Sequence, residues 1–542
     1  MRTNNKIILA SLFLILAGCS KLDEDLRGTL TSRQASSALG ASGTDLLLKA
    51  AYTNLTTTFH DQARLYSLQE NTSDESLVVT RGGDWDDNGA WRVLHNHTWD
   101  ANHDQLLQVF NGLNKLNFDA TNVLNFNPSK SQTAEARFLR ALSLYFLLDL
   151  YGQYPFRDPG ANLLNAPEVK SGAAGMDFII SELTAILPDL NASNPITVAN
   201  PDAARVLLMK CYLQKGAIVN RETPTFAAAD MQQVITLGNT IINSNKYSYT
   251  PNYFDNFSVD NGQKSKEGIF AYPNTSGVTV NSGGIQARWN HTLHYNSFDK
   301  FAPNAGWNGF ATVSDFYNSF SPTNTTTYGP ADTLLDQRIG GRYYQGATNV
   351  SGIRPGLLVG QQFNAAGVAL KDRKGAPLAF TPEIAPDMIE KGANLEVTGI
   401  RVVKYVPDYT DDSKNYQSNA GNWLMIFRYA DVVLMVAEAR LRTGDAATAL
   451  TLVNGLRQAR SAALLPSISL VNTANLYDPN TLIAERGREL YHESFRRTDL
   501  IRFGVFLKPW QYKPTDNPKN LVFPIPAQAL ASNPNFKQNK GY

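Results

Sequence analysis

At 542 residues the chain is long enough for several domains or for one large helical domain. Hydrophobic residues at 43% and charged residues at 18% supply a sizeable core and exclude global disorder. With 49 Lys+Arg against 48 Asp+Glu the formal net charge is +1, which is not the footprint of a nucleic-acid binder. The 2 Cys exclude a disulfide scaffold and a Cys-rich metal module, while 38 Gly and 26 Pro point to long ordered loops.

The chain opens with Arg2 and Lys6 ahead of a short apolar run, Ile7 to Leu16. That run is too short to span ~30 Å of hydrocarbon as a stable helix. It ends Leu16-Ala17-Gly18-Cys19, which resembles a lipobox. Residues 1–18 therefore read as a lipoprotein signal peptide and Cys19 as the lipidated residue. Residues 19–27 read as a tether made acidic by Asp23, Glu24 and Asp25. The expected location is the cell outer membrane, lipid-anchored and facing outward, with the rest of the chain soluble. Cys211 sits in an apolar helical stretch and reads as a buried small hydrophobe.

Helical periodicity recurs in blocks. Residues 134–151 carry apolar groups that all but close the helical ring, so this helix should be buried on most sides. Gly152 ends it. Asn200-Pro201 supplies an N-cap with Pro at N1 for a helix over 202–219, followed by another over 227–243. Residues 428–443 and 445–460 form an antiparallel pair, with Gly444 as a stop and Asp445 as the next cap. A last long, charge-rich helix is expected over 481–500. Pairs of roughly 34 residues with Ala and large apolars at the contacts read as tetratricopeptide-like hairpins. Ala437, Ala439, Leu441, Ala446, Ala449 and Leu450 carry the clearest copy. Between the helical blocks, residues 244–427 are rich in Asn, Gly, Ser, Thr, Tyr and Pro, with short β-like pieces such as 399–405. The predicted fold class is all-α dominated: a tetratricopeptide-like hairpin scaffold with a large loop-rich insertion containing short strands. The helical regions are 28–243 and 428–542, the insertion is 244–427, and the whole from 28 to 542 is one structural unit.

The richest chemistry lies between Asp74 and Trp99, where three of the 7 Trp (Trp85, Trp91 and Trp99) sit beside acids, amides and Arg. A sugar ring offers an apolar C–H face and a rim of hydroxyls. An aromatic plate with flanking Asp, Asn and Arg matches both, and burying ~40 Å² of sugar face contributes about 1 kcal/mol. A second aromatic group, Trp289, His291, His294, Tyr295, Phe298 and Trp307, lies in the insertion. The expected ligand-binding residues are Asp74, Arg81, Asp84, Trp85, Trp91, Trp289, Tyr295 and Trp307. Each of these aromatics has a competing role as core. If Trp85 and Trp307 meet across one surface, they form an arc suited to a curved glycan.

His95, His97, Asp100 and His103 have spacing too loose for a metal site, and structural hydrogen bonding suits them better. Asp84, Asp86, Asp87 and Asn88 offer hard oxygens to a structural Ca²⁺ but lack the twelve-residue loop pattern, so no cofactor or metal is assigned. Glu485, Glu489 and Glu493 interleave with Arg at helical spacing, the pattern of a scaffold ion network rather than a catalytic pair. No phosphate loop, G-x-S-x-G or H-E-x-x-H is present.

Three stretches carry a resemblance. Ala134 to Pro155 ends in Tyr151-Gly152-x-x-Pro155. Glu485-Arg486-x-Arg488-Glu489-Leu490 is followed by Phe495-Arg496-x-x-Asp499-Leu500-x-Arg502-x-Gly504. The chain closes on Asn533-Pro534-x-x-x-Gln538-Asn539-x-Gly541-Tyr542. Together with the lipobox these resemble the SusD/RagB family of outer-membrane glycan-binding lipoproteins. The resemblance implies a non-enzymatic surface protein. It would capture oligosaccharide or polysaccharide and pass it to a TonB-dependent, SusC-like outer-membrane transporter. Two other readings of the same sequence are a peptide or protein receptor on this scaffold and, more remotely, a surface glycoside hydrolase.

Overall fold

The computed structural model describes residues 32–277, 284–297, 306–320, 336–340, 354–364, 367–407 and 420–542. Cys19, the tether and Phe298 lie outside them.

Ser129 opens the central helix, Lys130–Tyr151. Its Oγ accepts from the Gln132 backbone N–H at 3.2 Å, and Gln132 Oε1 accepts from the Ser129 N–H at 2.8 Å, a reciprocal cap. Every residue from Phe138 to Tyr151 is buried, as the closed apolar ring requires. Each large apolar side chain there contributes about 1.5–3 kcal/mol relative to exposure. Gly152 stops the helix at φ +73°, a left-handed turn that a Cβ would strain. The C-terminal tail reads this stop directly. Asn539 Nδ2 donates to the carbonyls of Tyr151 at 2.9 Å and Phe523 at 2.7 Å, and Gln153 Nε2 donates to the Lys537 carbonyl at 2.7 Å. The two motifs at 151–155 and 538–542 are thus halves of one joint.

Around this helix a serpentine stack is built from Asp104–Val123, Lys130–Tyr151, Gly172–Ile186, Pro201–Val219, Ala228–Ile242, Tyr429–Arg442 and Ala446–Ala459, each packed on the next. Asn200 Oδ1 accepts from the N–H groups of Asp202 and Ala203, and Pro201 takes the first helical position. Asp445 caps its helix through the Thr448 N–H at 3.1 Å. Cys211 is buried and free, its thiol pushed up by burial. Ala437, Ala439 and Ala449 are fully buried at the hairpin contacts, whereas Ala446, expected there, is exposed. No helix among the described residues is long and apolar enough to cross a membrane.

The helix expected over 481–500 is two helices, Leu482–Leu490 and Arg496–Arg502. His492 at φ 58° and Ser494 at φ 68° break it. The cause is tertiary: the Ser494 N–H donates to Glu70 Oε1 at 2.6 Å and the His492 N–H to Glu75 Oε2 at 3.3 Å. Carboxyl groups from the end of the Leu65–Glu70 helix and the turn after it replace the intrahelical acceptors. The first helix carries a fully buried ion network. Glu489 meets Arg428 at 2.6 Å, Arg460 at 2.9 Å and Arg338 at 3.3 Å, while Glu485 meets Arg457 at 2.5 Å, Arg488 at 2.7 Å and Arg338 at 2.8 Å. Burial pushes the Glu489 carboxyl up, but the three guanidiniums outweigh it and hold it at about 2.

The loop-rich block is organised by two-stranded ladders that join it to the N-terminal half. Leu77–Val78 pairs antiparallel with Phe310–Ala311, and Thr80–Arg81 pairs parallel with Ile389–Glu390. These pairings carry the segment after residue 81 onto the same surface as residues 294–310.

Candidate functional site

Just after Arg81 the chain folds back, with the N–H groups of Arg81 and Asp84 donating to each other's carbonyls at 2.9 and 3.1 Å. This tight return places Trp85 at φ 62° and partly buried. Its indole N–H donates to the Trp307 carbonyl at 2.6 Å. Its ring meets Phe310 edge-on at 5.4 Å and Trp91 at 5.6 Å. This bond and the Phe310 contact join the segments around Trp85 and Trp307, and both tryptophans are partly buried.

Trp307 is held from beneath. The adjacent Asn308 has φ 52°, and its carbonyl accepts from Arg81 Nε at 2.7 Å. Its side chain accepts from Arg401 Nη2 at 2.9 Å and donates to the Glu396 carbonyl at 3.0 Å. The Arg81 guanidinium also donates to the carbonyl and hydroxyl of Thr398, both at 2.7 Å. Burial lowers the Arg81 pKa to about 10, and Glu390, Tyr295 and Glu396 oppose that shift.

Beside the indoles stands a polar rim. Tyr295 OH donates to Asp84 Oδ2. The Arg373 guanidinium lies over the Tyr295 ring at 3.8 Å and pairs with Glu396 at 2.8 Å. Glu396 also accepts from His294 at 2.8 Å. Burial pushes the Glu396 carboxyl up, and the bonds from His294 and Arg373 more than reverse it. Burial and the Asp84 bond raise the Tyr295 hydroxyl. The side chains of Asp84 and Arg373 remain 51% and 44% exposed, so a donor and an acceptor face solvent next to the indole faces.

Four expected ligand residues lie elsewhere. Asp74 is fully buried and forms two 2.7 Å bonds to the Arg496 guanidinium. Arg81 is buried under Asn308, as described. Trp91 is 4% exposed, its indole N–H on Asp87 Oδ2 at 2.6 Å, and it backs Trp85 from below. Trp289 is 3% exposed in the core. Composition marked these residues, but their polar atoms are taken up inside the fold. Trp99 likewise is core, donating to Tyr542 OH at 2.7 Å. Asp84, Trp85, Tyr295 and Trp307 are the four that reach the surface together. Arg373 was missed by the sequence reading, because it sits between Lys371 and Lys374 in a charged turn that reads as solvated.

The other polar candidates each have their own partner. His95 meets the Gln511 carbonyl, His97 meets Asp516 and the Thr72 carbonyl, and His103 meets the Ala90 carbonyl. Asp86 pairs with Arg92 at 3.1 Å, while Asp87 holds Trp91 and Asp84 holds Tyr295. The oxygens offered for Ca²⁺ thus serve three different groups.

A helical-hairpin platform carrying a long loop block, with paired indoles on the loops, defines the class of this molecule. The chain belongs to the SusD family, whose model matches residues 232–518, more than half of it. Starch-binding protein SusD of Bacteroides thetaiotaomicron is 25% identical over 497 residues, covering 88% of this chain and 85% of that protein. Among solved structures, a SusD-like protein of Bacteroides fragilis superimposes with a TM-score of 0.68 at 19% identity, over 93% of this chain and 97% of that one. Surface glycan-binding protein A of B. thetaiotaomicron, in complex with laminarihexaose, gives 0.64 at 15% identity over 92% and 99%.

Proposed function

We propose that the protein is a glycan-binding lipoprotein of the cell surface that captures oligosaccharide on the Trp85–Trp307 face. The observation that carries this reading is the bond joining the two indole segments beside an exposed Asp–Arg rim. Indole faces take the C–H side of a pyranose, and Asp84, Arg373 and Tyr295 take its hydroxyls. The similarity to a starch-binding relative supports carbohydrate as the ligand class. Binding proceeds without cleavage: Arg373 and His294 hold the Glu396 carboxyl below its ordinary range, so it does not stand ready as a proton donor. Cys19 carries the lipid that tethers the chain to the outer membrane, where a TonB-dependent transporter takes up the captured sugar. Tethering beside a transporter raises effective concentration, so modest affinity suffices.

The test is affinity electrophoresis and calorimetry of the purified chain on starch, laminarin and a panel of neutral polysaccharides. Trp85→Ala weakens binding at least severalfold. Undiminished binding by that variant removes Trp85 from the site, and release of reducing ends by the pure protein makes it a hydrolase instead.

A further inference from the structure

A cleft of about 620 Å³ lies between the Asp104–Val123 helix, the loop after Phe156 and the C-terminal segment around Ala529. It shares no residue with the Trp85–Trp307 face. Its volume is that of an ordinary ligand pocket. Its floor is aromatic: Phe110, Phe156 and Phe536, each at most 8% exposed. Its rim is amide. Asn111, Asn114, Asn122 and Asn125 follow one another at helical spacing with Phe118 among them, and Phe118 is 51% exposed.

The walls are pinned in place. Asn117 Nδ2 donates to the Pro155 carbonyl at 3.1 Å, and Asn125 Oδ1 accepts from the Gly160 N–H at 2.6 Å. Asn535 Nδ2 donates to the Pro167 carbonyl at 2.9 Å. The cleft is therefore preformed rather than a gap between mobile parts, which lowers the ordering cost of binding.

Charge is scarce. Arg157 and Asp158 are the charged residues of the lining, and Arg157 folds its guanidinium onto its own loop, donating to the Asn162 carbonyl at 2.8 Å and the Leu163 carbonyl at 3.3 Å. Among the described residues the lining holds no cation outside these bonds, which does not suit an anionic ligand. Asn114 and Asn125 spend part of their amides on the Phe110 carbonyl and the Gly160 N–H, while the exposed Asn111 amide presents a donor and an acceptor side by side, which matches a pair of adjacent hydroxyls, and the open Phe118 ring offers a stacking face.

We infer that this cleft is a second, independent binding site for a neutral oligosaccharide. The inference rests on the reading of the protein as a carbohydrate binder for the class of ligand, not for the location. Two separated sites on one chain hold a polymer at two points, so its release requires both to open.

The experiment uses the full chain with laminarihexaose, maltohexaose, starch and laminarin as probes. Three forms are compared: wild type, Trp85→Ala/Trp307→Ala, and Asn111→Ala/Phe118→Ala, the last altering two exposed positions. Calorimetry with the hexaoses gives site number, and hydrogen exchange of residues 157–167 at saturation gives location. The expected result is that Trp85→Ala/Trp307→Ala retains one binding event with protection of 157–167. Asn111→Ala/Phe118→Ala weakens that event at least tenfold and is retained less on the polymers than wild type. If Trp85→Ala/Trp307→Ala loses all binding, or 157–167 stays unprotected in every form, the second site is overturned while the first stands. If only the cleft variant loses binding, the second site stands and the first falls. Failure of the wild type to bind any of these probes overturns the cleft proposal.

Discussion

The Trp85 indole N–H donates to the Trp307 backbone carbonyl at 2.6 Å, which joins positions 222 residues apart. Trp307 is itself fixed through Asn308 by two buried guanidiniums, Arg81 and Arg401. The Trp85 indole cannot turn without breaking this bond, and the backbone that accepts it is fixed through Asn308. Binding then pays little for ordering the face.

Gly309 tests that geometry without touching the ligand side. A Cβ there would fall 2.3 Å from Trp85 Cε2 and 2.6 Å from its Nε1. Gly309→Ala therefore displaces the indole and breaks its bond to Trp307. The expected outcome is a loss of glycan affinity of about tenfold, with a stability cost of about 1–3 kcal/mol for overpacking. Calorimetric titration and a thermal melt read both. Unchanged affinity alongside a lowered melting point means that Trp85 supports the fold but not the sugar.

The rim is tested at Tyr295 and Arg373. Tyr295→Phe removes the hydroxyl that orients Asp84 and keeps the ring under Arg373. A lost hydrogen bond of about 1 kcal/mol predicts roughly fivefold weaker binding. Arg373→Ala removes the guanidinium that faces solvent, and affinity falls further; the melting point also falls, by a modest amount, because the buried Glu396 loses one partner and keeps His294. Equal affinities for wild type and both variants would show that the hydroxyl rim of the ligand is read elsewhere.

The helices were legible because their signals are local. Asn200-Pro201 and Asp445 announce caps that need no tertiary partner, and the ring of apolar residues over 134–151 declares burial by itself. The break at His492 and Ser494 was not legible, since the acceptors that end the helix, Glu70 and Glu75, are more than four hundred residues away. The site divided along the same line. Aromatic and acidic residues crowded at 74–99 and 289–307 marked two segments that the fold brings together. Which indole ends in the core and which stays partly exposed is set by tertiary neighbours that sequence does not show, such as Tyr542 at the N–H of Trp99 and the Trp307 carbonyl at that of Trp85. Arg373 carries no local signal, because only the fold sets it above Tyr295.

Glu489 is the acid on which the buried network converges, touching Arg428, Arg460 and Arg338. Glu489→Gln keeps its shape and removes its charge, leaving three buried guanidiniums short of a counter-ion. Breaking a buried pair in this way costs about 3–5 kcal/mol. Differential scanning calorimetry should show a markedly lower midpoint. Lys115→Ala, which removes the exposed partner of Asp119, serves as the control and should leave the midpoint unchanged. Equal midpoints for the two variants would mean that the network is not what holds the two halves of the chain together.

All 7 histidines of the sequence have lowered pKa values, with burial the leading cause in each. His60, His97 and His492 are held at about 3, and His95 and His294 at about 4, against an ordinary value of 6.5. Below pH 6.5 the unfolded chain takes up protons that the folded chain refuses, so stability falls as pH falls. Glu70, Glu75 and Glu135 act in the opposite sense, since burial raises them and the folded chain keeps their protons longer. Three groups against seven leave a net loss of stability. Below the ordinary carboxylate value of 4.5, Glu438 and Glu489, both held at about 2 by arginines against burial, add to the loss. The melting midpoint should therefore decline from pH 6.5 to 4.5 and more steeply from there to pH 3, as read by calorimetry at fixed salt. A midpoint that is level down to pH 5 would mean either that Glu70, Glu75 and Glu135 offset the histidines in full or that the histidines are charged inside the fold. The second case requires water or carboxylate partners at His60 and His492, where the fold supplies buried neutral ones: the amide of Asn274 for His60, and the hydroxyl of Tyr66 with the Glu75 carbonyl for His492.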